Sequence, residues 1–97
     1  MYARLVTIQI QPGKEDDAVR IYRDSIIPAA KDQKGFKSAM LLSDPGTGKG
    51  VSITLWDTEK DLKAGESSGY LQQQLAKFGG VFAAPPSRDS FMVMYQT

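Results

Sequence analysis

Hydrophobic and polar positions alternate along parts of the chain and recur at helical spacing along others. From Ala3 to Gln11, Val6, Ile8 and Ile10 fall on one side and Leu5, Thr7 and Gln9 on the other. Successive side chains of a strand point to opposite faces, so this is a half-buried strand whose second face is not fully polar. Pro12-Gly13 ends it. Between Lys14 and Lys31, Ala18, Val19, Tyr22, Ile26 and Ala29 recur as the inner side of a helix, while Asp16, Asp17, Arg20, Arg23 and Asp24 take the outside. Pro28 should kink or loosen its last turn. Gln33-Lys34-Gly35 caps that helix.

Phe36 to Ser43 reads as a second strand, and Gly50 to Trp56 as a third. In the third, Val51, Ile53 and Leu55 share one face, and Ser52, Thr54 and Trp56 share the other. The aliphatic face is expected to pack under helices. The face of hydroxyls and an indole is expected to turn away from them, toward a cavity or an interface. Thr58-Glu59-Lys60-Asp61 resembles a capping box and opens a second helix. Gly65 and Ser67-Ser68-Gly69 should break it, and Tyr70 to Phe78 continues with Leu71, Leu75 and Phe78 on one side. Gly79-Gly80 stops that piece; Val81 to Ala84 is an apolar linker and Pro85-Pro86 a stiff one. Ser87 to Gln96 is the last strand, with Phe91, Val93 and Tyr95 opposite Arg88, Ser90, Met92 and Met94.

The order strand, helix, strand, strand, helix, strand predicts an α+β fold of the ferredoxin-like βαββαβ type, an antiparallel sheet with helices on one face. Residues 1–97 read as one domain. Two helices cover only one face of such a sheet. Leu5, Trp56, Met92, Met94 and one side of Phe36 to Leu42 are expected on the other. An apolar face of that size suits a homodimer with the open faces packed together and a cavity where they do not fill the space.

Composition removes several function classes. Lys and Arg number 12 and Asp and Glu 11, so a net charge of +1 gives no case for nucleic acid or an anionic membrane. Cysteine and histidine are both absent. With them go thiolate chemistry, zinc-thiolate sites, the usual haem ligand and the commonest general base. No metal, flavin or haem is expected. No signal segment or membrane span is visible, so a cytoplasmic protein is the default expectation. The Gly-Lys of Asp44-Pro45-Gly46-Thr47-Gly48-Lys49-Gly50 is not a phosphate-binding loop. Ser43 stands where the leading glycine should be, Gly50 follows the lysine, and a strand follows where a helix is required. A hairpin turn is the reading. Tyr22, at core spacing, reads as packing rather than as a catalytic phenol.

Three stretches in order carry a resemblance: Val6 to Gly13, Gly35-Phe36, and Ile53-Thr54-Leu55-Trp56-Asp57 before an acidic helix start. The chain resembles the antibiotic biosynthesis monooxygenase-like family of the dimeric α/β-barrel superfamily over most of its length. The resemblance implies a homodimer of ferredoxin-like subunits with a ligand cavity in each. Some members oxygenate phenolic or quinol-type polyketide intermediates without metal or flavin; others degrade haem, act on quinones, or have no known activity. The histidine that the family often carries near Gly65 or Glu66 is missing here. Thr7 and Gln9 stand where the haem-degrading branch needs an asparagine, so haem degradation is disfavoured. Trp56 alone transfers as a site residue, either as the wall of a ligand site or as dimer-core filler.

Two functions follow. In the first, a cofactor-independent monooxygenase acts on an electron-rich phenol or enol. Oxygen chemistry normally belongs to a cofactor, so here the substrate must supply the electrons. Trp56 would wall the pocket, Ser52, Thr54, Thr7 and Gln9 would give hydrogen bonds, and Arg88 or Tyr70 would stabilise negative charge. The plainer reading of those polar residues is as ordinary interface groups. In the second, the protein is a non-catalytic dimeric barrel that binds a small hydrophobic or aromatic ligand, or none.

Overall fold

A computed structural model describes residues 1–97. Strand β1 (Tyr2–Gln9) leads into a helix of three parts: α1 (Glu15–Ile21), a π-helical turn (Tyr22–Ile26) and α2 (Ile27–Lys31). Then come β2 (Phe36–Ser43), β3 (Lys49–Trp56), α3 (Glu59–Ser67), α4 (Tyr70–Ala76) and β4 (Ser87–Met92). The strands form one sheet in the order β2-β3-β1-β4, with every neighbouring pair antiparallel. This is the ferredoxin-like α+β fold, with the sheet's inner strand β1 early in sequence and its partner β4 late.

Register decides which residues share a face, since a slip by one would invert the assignment. Tyr2 lies opposite Trp56 and Val6 opposite Ser52, while β4 sets Arg88 opposite Val6. One face therefore carries Arg4, Val6 and Ile8 together with Ser52, Thr54 and Trp56. The helices cover this face: Val6, Ile8 and Ile10 pack with Ala18, Tyr22, Ile26, Phe78 and Val81. The expectation that Val51, Ile53 and Leu55 lie beneath the helices is thus inverted. Ser52, Thr54 and Trp56 lie there, and Trp56 is 1% exposed within a single chain.

The other face carries Leu5, Thr7 and Gln9 of β1, Val51, Ile53 and Leu55 of β3, and Met40 and Leu42 of β2. No element of this chain covers it. Met40 is 51% and Phe91 55% exposed. Met92 pairs with Tyr2, so its parity is that of the helix side, and it is solvent-exposed there; Met94 lies beyond the strand. Phe91, opposite Ala3, takes the place on the open face that Met92 and Met94 were expected to hold.

The first helix also departs from expectation. Val19 is 51% exposed, and the buried positions are Ala18, Tyr22, Ile26 and Ala30. Pro28 has no N–H to give and its ring crowds the carbonyl of Asp24. The chain meets that defect with the wide π turn before the proline rather than in the last turn, and the wider turn carries the buried stripe on to Ala30. The helix start at Thr58 is as expected, its hydroxyl accepting from the Asp61 N–H at 3.1 Å. The break between α3 and α4 falls at Gly69, whose φ of +86° is the left-handed region that glycine enters freely. Asp44 to Lys49 is the hairpin between β2 and β3, closed by the Asp44 N–H donating to the Lys49 carbonyl at 2.8 Å. No helix is long and apolar enough to cross a membrane.

Candidate functional site

The space between the sheet and the helices contains a cavity of about 50 Å³. Its floor is β1 and β3, through Arg4, Val6, Ile8, Ser52, Thr54 and Trp56. Its roof is the π turn and α4, through Tyr22, Ile26, Tyr70, Leu71 and Gln74, and Phe78 and Phe82 close one end as a stacked pair 5.0 Å apart. The lining is mostly apolar, and its polar groups fall into two clusters.

The first cluster centres on Arg4. Strand parity puts this cation on the covered face, where it is 2% exposed. Its Nη2 donates to the Leu62 carbonyl at 2.6 Å, and its Nε lies 3.4 Å from a Glu66 carboxylate oxygen. Its guanidinium sits 5.4 Å from the centre of the Trp56 ring, a cation–π distance. Glu66 also pairs with Arg88 at 3.4 Å, so one carboxylate serves two guanidinium groups and the cluster keeps a net positive charge. Burial pushes the Arg4 pKa down, and the Glu66 carboxylate opposes that. Trp56 is held by an edge-to-face contact with Phe36, centroids 5.6 Å apart, and by its indole N–H donating to Thr54 Oγ1 at 3.0 Å. Gly65 leaves room for this assembly: a Cβ there would lie 3.2 Å from the Tyr70 ring and 3.5 Å from Arg4.

The second cluster is a hydroxyl pair. Tyr22 Oη lies 2.9 Å from Ser52 Oγ and donates toward the Met40 carbonyl at 3.3 Å. Burial pushes the Tyr22 phenol above its ordinary pKa, and the hydrogen bond to Ser52 partly offsets that. Burial likewise raises Tyr70, with Arg4 opposing. Both phenols therefore stay protonated near neutral pH, and the Tyr22 hydroxyl donates within the chain. Gln74, 7% exposed, accepts from Lys77 Nζ at 2.8 Å through its amide oxygen.

Of the residues that the sequence singled out, Ser52, Thr54, Trp56 and Tyr70 line the cavity together. Arg88 stands one ion pair away, through Glu66. Thr7 and Gln9 lie on the open face: Thr7 pairs with Val51 and Ser87, and Gln9 Nε2 donates to the Thr47 carbonyl of the hairpin at 2.7 Å. They cannot reach the same ligand through the sheet. The sequence reading missed Arg4 and Gln74 and assigned Tyr22 to packing alone. The signal for Arg4 was its place two residues before Val6, a charge continuing an otherwise aliphatic row. No group of three or more carboxylates is close enough to hold a metal ion.

The arrangement sets a buried cation and two protonated phenols on the wall of a small apolar cavity that the Trp56 indole also lines. The sequence model of the family described as Antibiotic biosynthesis monooxygenase matches residues 1–77. Rv2558, an uncharacterised protein of Mycobacterium tuberculosis, is 31% identical over 64 residues, or 66% of this chain, and the match spans only 27% of that protein's length. The ActVA-Orf6 monooxygenase of Streptomyces coelicolor, solved with nanaomycin D, superimposes with a TM-score of 0.74 at 17% identity, over 99% of this chain and 89% of its own. SnoaB, a cofactor-independent oxygenase of Streptomyces nogalater solved as a variant, does so with a TM-score of 0.75 at 10% identity, over 98% of this chain and 94% of its own. At such identities these structures establish the fold, and the sequence match establishes more: the chain belongs to the antibiotic biosynthesis monooxygenase family.

Proposed function

We propose that the protein is a cofactor-independent monooxygenase acting on an electron-rich phenol or quinol-type small molecule in the cavity between sheet and helices. The observation that carries this is Arg4: a cation 2% exposed, lying across the only tryptophan of the chain on the wall of an apolar cavity. A buried cation held beside a ring-shaped slot favours the anion of a phenol or enol over its neutral form. That anion is the species that reduces oxygen. For an anthrone-type substrate the electrons balance without a cofactor: the carbanion carbon bonds to one oxygen atom of O₂, and the hydroperoxide loses water to give the quinone. Both hydrogens of the departing water come from the substrate. The protein binds the ring on Trp56, holds the oxyanion with Arg4 and the Tyr70 phenol, and keeps bulk water out.

The open sheet face supports a homodimer formed through Leu5, Met40, Leu42, Ile53 and Phe91, since an uncovered apolar face of this kind is rare in a monomer. The cavity then belongs to each subunit, beneath its own helices, and not to the interface.

The volume of about 50 Å³ favours a second reading, a non-catalytic dimeric barrel. It has room for a few waters, at about 10–15 Å³ each, and falls well short of the ~300 Å³ at which ligand pockets begin. Oxygen-electrode measurements on a panel of anthrones and hydroquinones decide between the two. The monooxygenase reading expects one O₂ consumed per quinone formed, above the uncatalysed blank and lost in Arg4→Leu. No uptake above the blank from any member of the panel leaves the non-catalytic barrel as the function.

A further inference from the structure

The small cavity is not isolated. On the other side of Tyr22 an open groove of about 580 Å³ runs between the first helix and the edge strand β2, and Tyr22, Ile27 and Leu41 line both spaces. Tyr22 is the partition. Its ring is part of the core, while its hydroxyl is tied to Ser52 on the cavity floor and to the Met40 carbonyl on the groove wall. It sits on the π turn, where the i→i+4 ladder is already interrupted. The remaining groove wall is sorted by charge: Arg23, Lys31 and Lys37 line it and no acidic residue does. Arg23 is tied to Asp24 at 2.8 Å and Lys37 stands 3.9 Å from Asp57, whereas Lys31 makes no ion pair. Phe36 gives the groove an aromatic surface that continues to Trp56 through their edge-to-face contact.

We propose that this groove is the outer half of the same site and its entrance, that Tyr22 is the gate between the halves, and that the ligand is a planar aromatic acid. The leading edge of the ring passes Tyr22 toward Trp56, the rest lies in the groove, and the anionic group stays on the basic rim at Lys31 and Lys37. This deepens the functional reading above and rests on it for the location of the ring. The groove, unlike the inner cavity, falls within the range of about 300–1,000 Å³ typical of small-molecule sites, so the bulk of the ligand lies there. Without the hydroxyl at position 22, the partition loses both of its ties and the path should open.

The test uses binding rather than turnover, so that it fails separately from the oxygenase reading. Anthraquinone-2-carboxylate is already oxidised and cannot be a substrate, and Trp56, the only tryptophan, reports its arrival by fluorescence quenching. The acid is expected to bind about fivefold more tightly than its methyl ester, the scale of an exposed ion pair. Lys31→Glu together with Lys37→Glu should erase that preference and leave the ester unchanged. Tyr22→Phe, which keeps the ring, should raise association and dissociation rates together by about tenfold in stopped flow, with little change in affinity, as for a removed gate. Equal affinity for acid and ester, or a preference that survives both charge reversals, overturns the ligand class. Unchanged rates in Tyr22→Phe overturn the gate. Oxygen uptake without acid selectivity overturns this proposal and keeps the oxygenase reading, and acid selectivity without oxygen uptake does the reverse.

Discussion

The two faces of the sheet differ in composition, and on β3 the helices cover the more polar of the two. On β3 the covered face holds Ser52, Thr54 and Trp56, and the open face holds Val51, Ile53 and Leu55. The more aliphatic set faces outward. The covered set can be buried because its polar atoms are paired within the chain: Trp56 with Thr54, Ser52 with Tyr22, Arg4 with Leu62 and Glu66. No buried side-chain nitrogen or oxygen lacks a partner. Burial follows satisfied hydrogen bonding as much as hydrophobicity, and the aliphatic face is left uncovered by this chain.

The sharpest way to break this comparison is Trp56→Ala. On the covered face it should cost the single chain about 3–5 kcal/mol by leaving a void under the helices. Urea unfolding at a concentration where the protein is monomeric measures it; a loss confined to the dimer would put Trp56 on the wrong side. Arg4→Leu comes next. It removes a charged donor from the Leu62 carbonyl, for about 1.5–3 kcal/mol, and leaves Glu66 to Arg88 alone. Its mark is a loss of stability together with a fall in affinity for anionic aromatic ligands. Phe91→Asp addresses the other face. It should weaken the proposed dimer by about 2 kcal/mol, the scale of an interface anchor, and leave the thermal stability of the monomer unchanged. Sedimentation of the variant against the unmodified protein reads this directly.

The smallest effect is set by pH. The Tyr22 and Tyr70 phenols are raised by burial on the covered face. In the unfolded chain such phenols ionise near pH ~10, and in the fold they hold their protons longer. The folded state then binds more protons than the unfolded one. Stability is level below that pH and declines as pH rises toward the folded values. Unfolding curves between neutral and strongly alkaline pH should show the decline, and Tyr22→Phe should make it shallower.

Much of the fold was legible because its punctuation is local. Pro12-Gly13, Gly35, the hairpin from Asp44 to Lys49, the Thr58 cap and Gly69 each mark an element boundary by backbone chemistry. Which residues share a strand face was legible too, from parity alone. The direction of the β3 face was not, because β1 and β3 are joined by no tight turn and their register is a property of the assembled sheet. That one unknown put Trp56 on the open side and grouped Thr7 and Gln9 with it. Tyr22 was read correctly as core. Its second role depends on Ser52, thirty residues away and brought near only by the fold. Arg4 was missed because a buried cation is justified by partners, Leu62 and Glu66, that no local pattern announces.

The place of β1 in the sheet order β2-β3-β1-β4 has a consequence for how the chain is made. β1 is synthesised before either neighbour, and both of its edges are to be filled by segments that leave the ribosome later. β3 can take one edge once residue 56 has emerged, but the other stays open until β4 follows at residues 87–92. Through that interval an apolar strand with unpaired N–H and C=O groups is available to any other nascent chain. A translational pause between α4 and β4 should therefore raise the fraction of aggregated product, and a pause after β4 should not.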